Sequence, residues 1–228
     1  MDVGGASHGR HKLMKNKYLI SILPLWMILQ LAALLAVYRA PEEATQGIVQ
    51  KIFYFHVASA FSMYIGFGIA GLGAVLYLIY RDVHWDDLSH AGGSVGLLFC
   101  SMVLISGPLW ARPIWGTWWT WDPRLTTTLM IWLVFAAVAM LRNSFDKNAR
   151  GALFASILTL LGLIDLPLIF LSVKLWRGIH PQVLGQQNSM PAEMRLALVL
   201  AMLSFMLLSG ILIALTFRVY QLQRRGKK

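Results

Sequence analysis

The chain has 228 residues, of which 57% are hydrophobic and 13% charged, with a mean hydropathy of +0.62. That balance is too apolar for an ordinary soluble domain and identifies a membrane protein. The net charge of +10 does not point to nucleic acid, because the basic residues flank apolar runs and form no basic domain able to hold a duplex.

Apolar runs of about 20 residues, the helix length that crosses about 30 Å of hydrocarbon, recur along the chain. They fall at 18–38, 53–80, 89–110, 125–141, 151–173 and 194–217. The expected fold is therefore all-α: six transmembrane helices in one bundle, with residues 1–228 as a single polytopic domain and neither an internal repeat nor a soluble domain. The first run follows a basic segment, as a signal peptide would. Its apolar length exceeds the usual 7–15 residues and it lacks a convincing cleavage site, so it is expected to be retained.

The second run contains "GFGIAG", in which Gly66, Gly68 and Gly71 match a nucleotide-binding G-x-G-x-x-G. No strand precedes it and it sits at membrane depth, so the three glycines are read as sites where a neighbouring helix approaches closely. The third run holds Cys100, the only cysteine, which excludes an intramolecular disulfide, a cysteine-cluster metal site and a C-x-x-C-H haem attachment. The fifth contains Asp165 two residues before Pro167: an intramembrane ionisable residue is a functional candidate, while the proline suggests a local structural role, and the sequence selects neither.

Topology follows from the basic residues. With both termini inside, 13 of the 20 Lys and Arg fall on the inner side, so the positive-inside rule favours N-in and C-in. The inner connections, near 81–88 and 142–150, are short, whereas the outer ones, near 39–52, 111–124 and 174–193, are long. Long loops on a compact bundle are more often functional, so function is expected on the outer face.

That face carries "WGTWWTWDPRLT", Trp115 to Thr126, within an extracytoplasmic loop at about 111–126. An aromatic belt is the simple reading, but five of nine tryptophans (Trp110, Trp115, Trp118, Trp119 and Trp121) crowd into twelve residues, where a belt would share them among all helix ends. In a helical turn Trp115, Trp118 and Trp119 form one aromatic face suited to a flat ligand. Asp122 before Pro123 reads as the N-cap of the fourth helix with proline at its first position. Arg124 either pairs with Asp122 or answers a ligand carboxylate.

Of six histidines, His8, His11, His84 and His90 fall inside, leaving His56 and His180 on the outer side with the tryptophans. His56 precedes Tyr80 by 24 residues, roughly 36 Å of helix, which carries it to the outer interface. His180 follows the outer end of the fifth run. Either alone reads as an interfacial hydrogen-bonding residue. Together they suit the two faces of a haem, and without a third histidine or a carboxylate cluster beside them a hydrolytic zinc site is poorly supported.

With the Trp-rich segment between runs three and four, a histidine in each flanking outer loop, six runs and this length, the chain resembles the WWD-motif haem-handling family. Within it the resemblance is to the heme exporter protein C (CcmC) branch rather than to the larger CcmF and CcsA. The resemblance covers nearly the whole chain. It implies a non-enzymatic subunit in the bacterial inner membrane that holds haem b at the periplasmic face and presents it to the haem chaperone CcmE, with CcmA, CcmB and CcmD as further subunits and ATP hydrolysis on a partner. It also implies His56 and His180 as axial ligands, the site being completed by Trp115, Trp118, Trp119, Trp121, Asp122 and Arg124. Arg112 and Arg177 are lesser candidates for the propionates. Two other readings stay open: an electron-carrying cytochrome b, whose ligands would lie between helices at membrane depth, and a secondary transporter with the tryptophans as a belt, for which broken-helix features in corresponding halves are required.

Overall fold

A computed structural model describes residues 4–144, 149–176 and 190–225, with side chains from residue 21 onward except those of 143, 173 and 174. Among these the regular elements are helices: α1 (Gly4–Arg39), α2 (Lys51–Tyr80), α3 (Val83–Trp115), α4 (Pro123–Ser144), α5 (Ala149–Leu163), α6 (Asp165–Leu175) and α7 (Ala192–Arg225), with one 3-10 turn at Ile48–Gln50. Six stretches are long and apolar enough to cross a membrane, the fifth being α5 and α6 in tandem. The all-α, six-span architecture read from the sequence is the one observed. The end of the bundle that carries residues 116–122 is termed the outer end.

The helices overrun the apolar runs. α3 begins at Val83, not 89, because the Asp82 side chain accepts the backbone N–H of His84 at 2.9 Å and caps it. Arg81 ends α2 in the left-handed region at φ 57°, which reduces the inner connection to Arg81 and Asp82. Hydropathy marks the part of a helix that meets hydrocarbon, whereas capping marks its ends. At 33 residues α3 is about 50 Å long, so both its ends project beyond a core of about 30 Å.

α2 and α3 form the centre of the bundle as an antiparallel pair in backbone contact. A Cβ added to Gly66 would lie 2.5 Å from Gly96 N, one on Gly92 2.6 Å from Ala70 N, and one on Gly73 2.5 Å from Ser89 N. Small residues on both helices thus permit an approach that any side chain would block. The expectation for "GFGIAG" holds for Gly66, and for Gly71 against the Leu163 side chain. It fails for Gly68, which faces open space, because 3.6-residue periodicity turns it away from the seam.

α7 packs on α2, α3 and α1, and α1 makes its main contact with α7. Ser204 donates to Gln30 Oε1 at 2.7 Å across the latter interface, while Leu25, Met27, Ile28, Leu31 and Leu34 remain exposed as a lipid-facing surface. At the inner end Asp86 and Asp87 are buried and ion-paired: Arg142 of α4 meets Asp86 at 2.6 Å, and Arg224 of α7 meets Asp86 at 3.1 Å and Asp87 at 2.7 Å. Tyr220 stacks on His90 and shares a hydrogen bond with Ser94 beside them. This cluster fastens α3, α4 and α7 together away from the tryptophans.

The fifth span breaks at Ile164. α5 packs on both α2 and α4, whereas α6 packs chiefly on α4. Pro167 sits in the first turn of α6, where its missing N–H costs no helical bond. Asp165 opens α6, with Oδ2 buried and without a hydrogen-bond partner among the described residues.

Candidate functional site

The divergence of α6 from α2 leaves a cavity of about 540 Å³ in the outer half of the bundle. Its walls come from α2 (His56 to Tyr64), α3 (Val103 to Trp115), Trp119, the start of α4 (Arg124 to Thr128) and α6 (Leu166 to Phe170). Nearly all are apolar; His56 and Arg124 are the basic side chains among them. An apolar cleft of this size with few convergent polar groups is the usual form of a small-molecule site.

His56 is buried at 9% exposure, one and a half turns into α2. It is the height along the helix that the sequence anticipated, but not a loop or surface position, because α3 and the first outer loop cover it. Its Nδ1 lies 2.9 Å from Ser106 Oγ, and the Ser106 hydroxyl donates to Met102 O at 2.7 Å. The Trp110 ring packs against the imidazole with centroids 5.9 Å apart. Trp110 Nε1 in turn donates to Gln46 Oε1 at 3.0 Å, tying the first outer loop over the site. That loop is folded around Glu43, whose Oε2 accepts from the Thr45 hydroxyl and from the N–H groups of Thr45 and Gln46. These bonds, the Thr45 hydroxyl first, hold the Glu43 carboxyl below its ordinary value.

The tryptophans do not form the single helical face expected of them. α3 ends at Trp115 because Gly116 takes φ 73° and returns its N–H to Arg112 O, so Trp118 and Trp119 lie in irregular backbone. Trp115 and Trp119 line the cavity; Trp118 and Trp121 stand outside it, 56% and 76% exposed. Trp119 and Trp121 meet edge to face at 5.9 Å. Arg112 is not a cavity residue: its guanidinium lies over the Trp118 ring and donates to Gly116 O.

Asp122 has the capping role read from the sequence. It is buried, and its Oδ1 accepts the Arg124 N–H at 2.9 Å, while its carbonyl accepts from Thr126 N. It does not line the cavity. Of the two partners weighed for Arg124, Asp122 accepts its backbone N–H and faces its charge, while the guanidinium also reaches the cavity wall, where Nε donates to Ile169 O at 3.3 Å. His180 and Arg177 lie outside the described residues. Ser106 and Gln46 were not legible as site residues: a serine within an apolar run and a glutamine in a polar loop carry no local signal, and only helix pairing brings them to His56 and Trp110.

The heme exporter protein C family model matches residues 6–228, which include all six spans and every wall of the cavity. The chain belongs to the heme exporter protein C family. It is 33% identical over 180 residues to heme exporter protein C of Escherichia coli K12, covering 78% of this chain and 73% of that one. It is 36% identical over 141 residues to the protein of the same name from Bradyrhizobium diazoefficiens, a match spanning 62% of this chain and about half, 54%, of that relative. A putative cytochrome c biosynthesis ccmC-like mitochondrial protein of Marchantia polymorpha is 30% identical over 195 residues, 85% of this chain and 83% of its own length. As a member of the heme exporter protein C family the chain is a multi-pass membrane protein.

Proposed function

We propose that this chain is the haem-holding, non-catalytic subunit of a cytochrome c maturation system in the bacterial inner membrane. It binds haem b in the outer cavity, with His56 and His180 as axial ligands, and presents it to the periplasmic chaperone CcmE. CcmA, CcmB and CcmD are its partner subunits, with ATP hydrolysis on a partner.

The observation that carries this reading is His56: an imidazole with one ring nitrogen already hydrogen-bonded, at the wall of an apolar cavity flanked by Trp115 and Trp119. A macrocycle needs apolar walls, a nitrogen donor for its iron and a cation for its carboxylates, and Arg124 supplies the third. The residues fit the group. Trp118 and Trp121, exposed beside the cavity, suit the side from which a partner takes the ligand. Shared contact during exchange would spare the haem an excursion into water.

The test is the visible spectrum of detergent-purified protein beside His56→Ala, His180→Ala and a double Trp118, Trp119 substitution. A low-spin bis-histidine spectrum lost with either histidine supports the assignment; stoichiometric haem indifferent to both refutes it.

Burial of His56 within α2 is also what an electron-carrying cytochrome b would require. The two readings part on the fate of the haem. Transfer to the chaperone defeats the electron carrier, and reversible reduction by a quinol without loss of haem defeats delivery.

A further inference from the structure

We infer that Ser106 is a positioning residue for His56, fixing the imidazole in the tautomer that turns a bare Nε2 toward the cavity. The inference rests on the reading of His56 as an iron ligand.

A serine hydroxyl has one proton to give. That of Ser106 goes to its own helix, to Met102 O at 2.7 Å, the usual back-bond of a buried helical serine. Oγ therefore acts only as an acceptor toward His56, and the 2.9 Å contact is Nδ1–H donating to Oγ. In the neutral ring the lone pair then belongs to Nε2, which makes no hydrogen bond among the described residues. Histidines that ligate metals characteristically donate their other ring N–H in this way, which fixes tautomer and ring orientation together. Trp110, one turn beyond Ser106, packs against the same ring and limits its rotation.

The relay depends on the α2–α3 seam. The pairs Gly66 with Gly96, Ala70 with Gly92 and Gly73 with Ser89 define one antiparallel register, and His56 with Ser106 continues it toward the outer end without a slip. Ser106 is 4% exposed and meets His56 because the glycines below bring the two backbones together. A one-residue change of register would turn the hydroxyl about 100° away around α3.

A buried serine that only satisfies a polar ring would produce the same distance, so the test must read the tautomer. Full-length protein in nanodiscs, labelled with ¹⁵N-histidine and free of haem, is compared with Ser106→Thr and Ser106→Val, side chains of equal shape that differ in the hydroxyl. His56 is assigned by its absence in His56→Ala. Wild type and Ser106→Thr are expected to hold one tautomer, with an unprotonated Nε2. Ser106→Val is expected to show both tautomers or the reverse one. Hemin titration of the same samples should give a Kd about 10–100-fold weaker for the Val chain than for the Thr chain. Its midpoint potential should be higher, because a less donating imidazole stabilises ferric iron less. Ser106→Ala is the second hydroxyl-free chain if the Val chain does not fold.

Equal tautomer populations and equal hemin affinity in the Thr and Val chains, with affinity lost in His56→Ala, would overturn the role of Ser106 and leave the ligand assignment standing. Unchanged low-spin haem in His56→Ala would overturn the ligand assignment itself and this inference with it.

Discussion

Gly66→Ala adds one methyl group where the seam has no room for it. The new Cβ would lie 2.5 Å from Gly96 N, 2.6 Å from Gly96 Cα and 3.0 Å from Gly92 O. Carbon atoms rest at about 3.5–4.0 Å, so α2 and α3 must separate by about 1 Å. All three atoms are backbone, so no rotamer relieves the contact. Overpacking of this kind costs about 1–3 kcal/mol, against a gain of about 1 kcal/mol for Ala over Gly within a helix. The control is Gly68→Ala on the same helix, where the added Cβ meets nothing within 4 Å and only the gain remains. Gly66→Ala is therefore expected to be the less stable of the two by about 1–3 kcal/mol. His56 and Ser106 lie ten residues further along the same register, about 15 Å away, so a parted seam also stretches their 2.9 Å bond. Thermal unfolding in detergent, followed by tryptophan fluorescence, measures the first effect and hemin titration the second. If Gly66→Ala matched Gly68→Ala in both, the glycine seam would not be what sets the register of the site.

Five further substitutions separate the parts of the molecule. Asp86→Ala leaves the buried Arg142 without its carboxylate and should cost about 3–5 kcal/mol in thermal unfolding, while the spectrum of whatever haem-loaded protein remains is unchanged, since the cluster lies at the opposite end of the bundle. Trp115→Ala or Trp119→Ala should weaken hemin binding by about tenfold, equivalent to ~1.4 kcal/mol, whereas Trp121→Ala, at an exposed position, should shift stability by no more than about 0.5 kcal/mol and leave the hemin Kd alone. The reverse ranking in a titration series would move the ligand out of the cavity. Asp165→Asn removes an ionisable group whose Oδ2 is buried without a partner, so the melting temperature is expected to hold or rise with haem loading intact. Loss of loading in that variant would assign Asp165 a charge-dependent role.

Composition and run length were enough to determine six spans, because crossing hydrocarbon demands about 20 apolar residues whatever the packing. Local chemistry was enough for Asp122, whose cap on α4 depends only on the proline and the amide that follow it. The crowding of tryptophans marked the right neighbourhood for the cavity, and the spacing from Tyr80 gave the height of His56 along α2. None of these readings required knowledge of which helix lies beside which.

Where a residue's role depends on such neighbours, the sequence was silent or misleading. Trp118 and Trp119 were expected to share a face with Trp115, but the left-handed Gly116 ended the helix first and divided the tryptophans between cavity wall and open surface. Gly66 and Gly68 look alike in a motif, and only the partner helix separates a contact from open space. The fifth apolar run reads as one helix, yet it breaks at Ile164, and its outer half keeps the packing on α4 while parting from α2, which opens the cavity. Ser106 is one serine among several until α3 settles against α2. Periodicity and capping act within a few residues, so one chain segment encodes them; a hydrogen bond between residues 50 positions apart exists only once two helices have fixed their register.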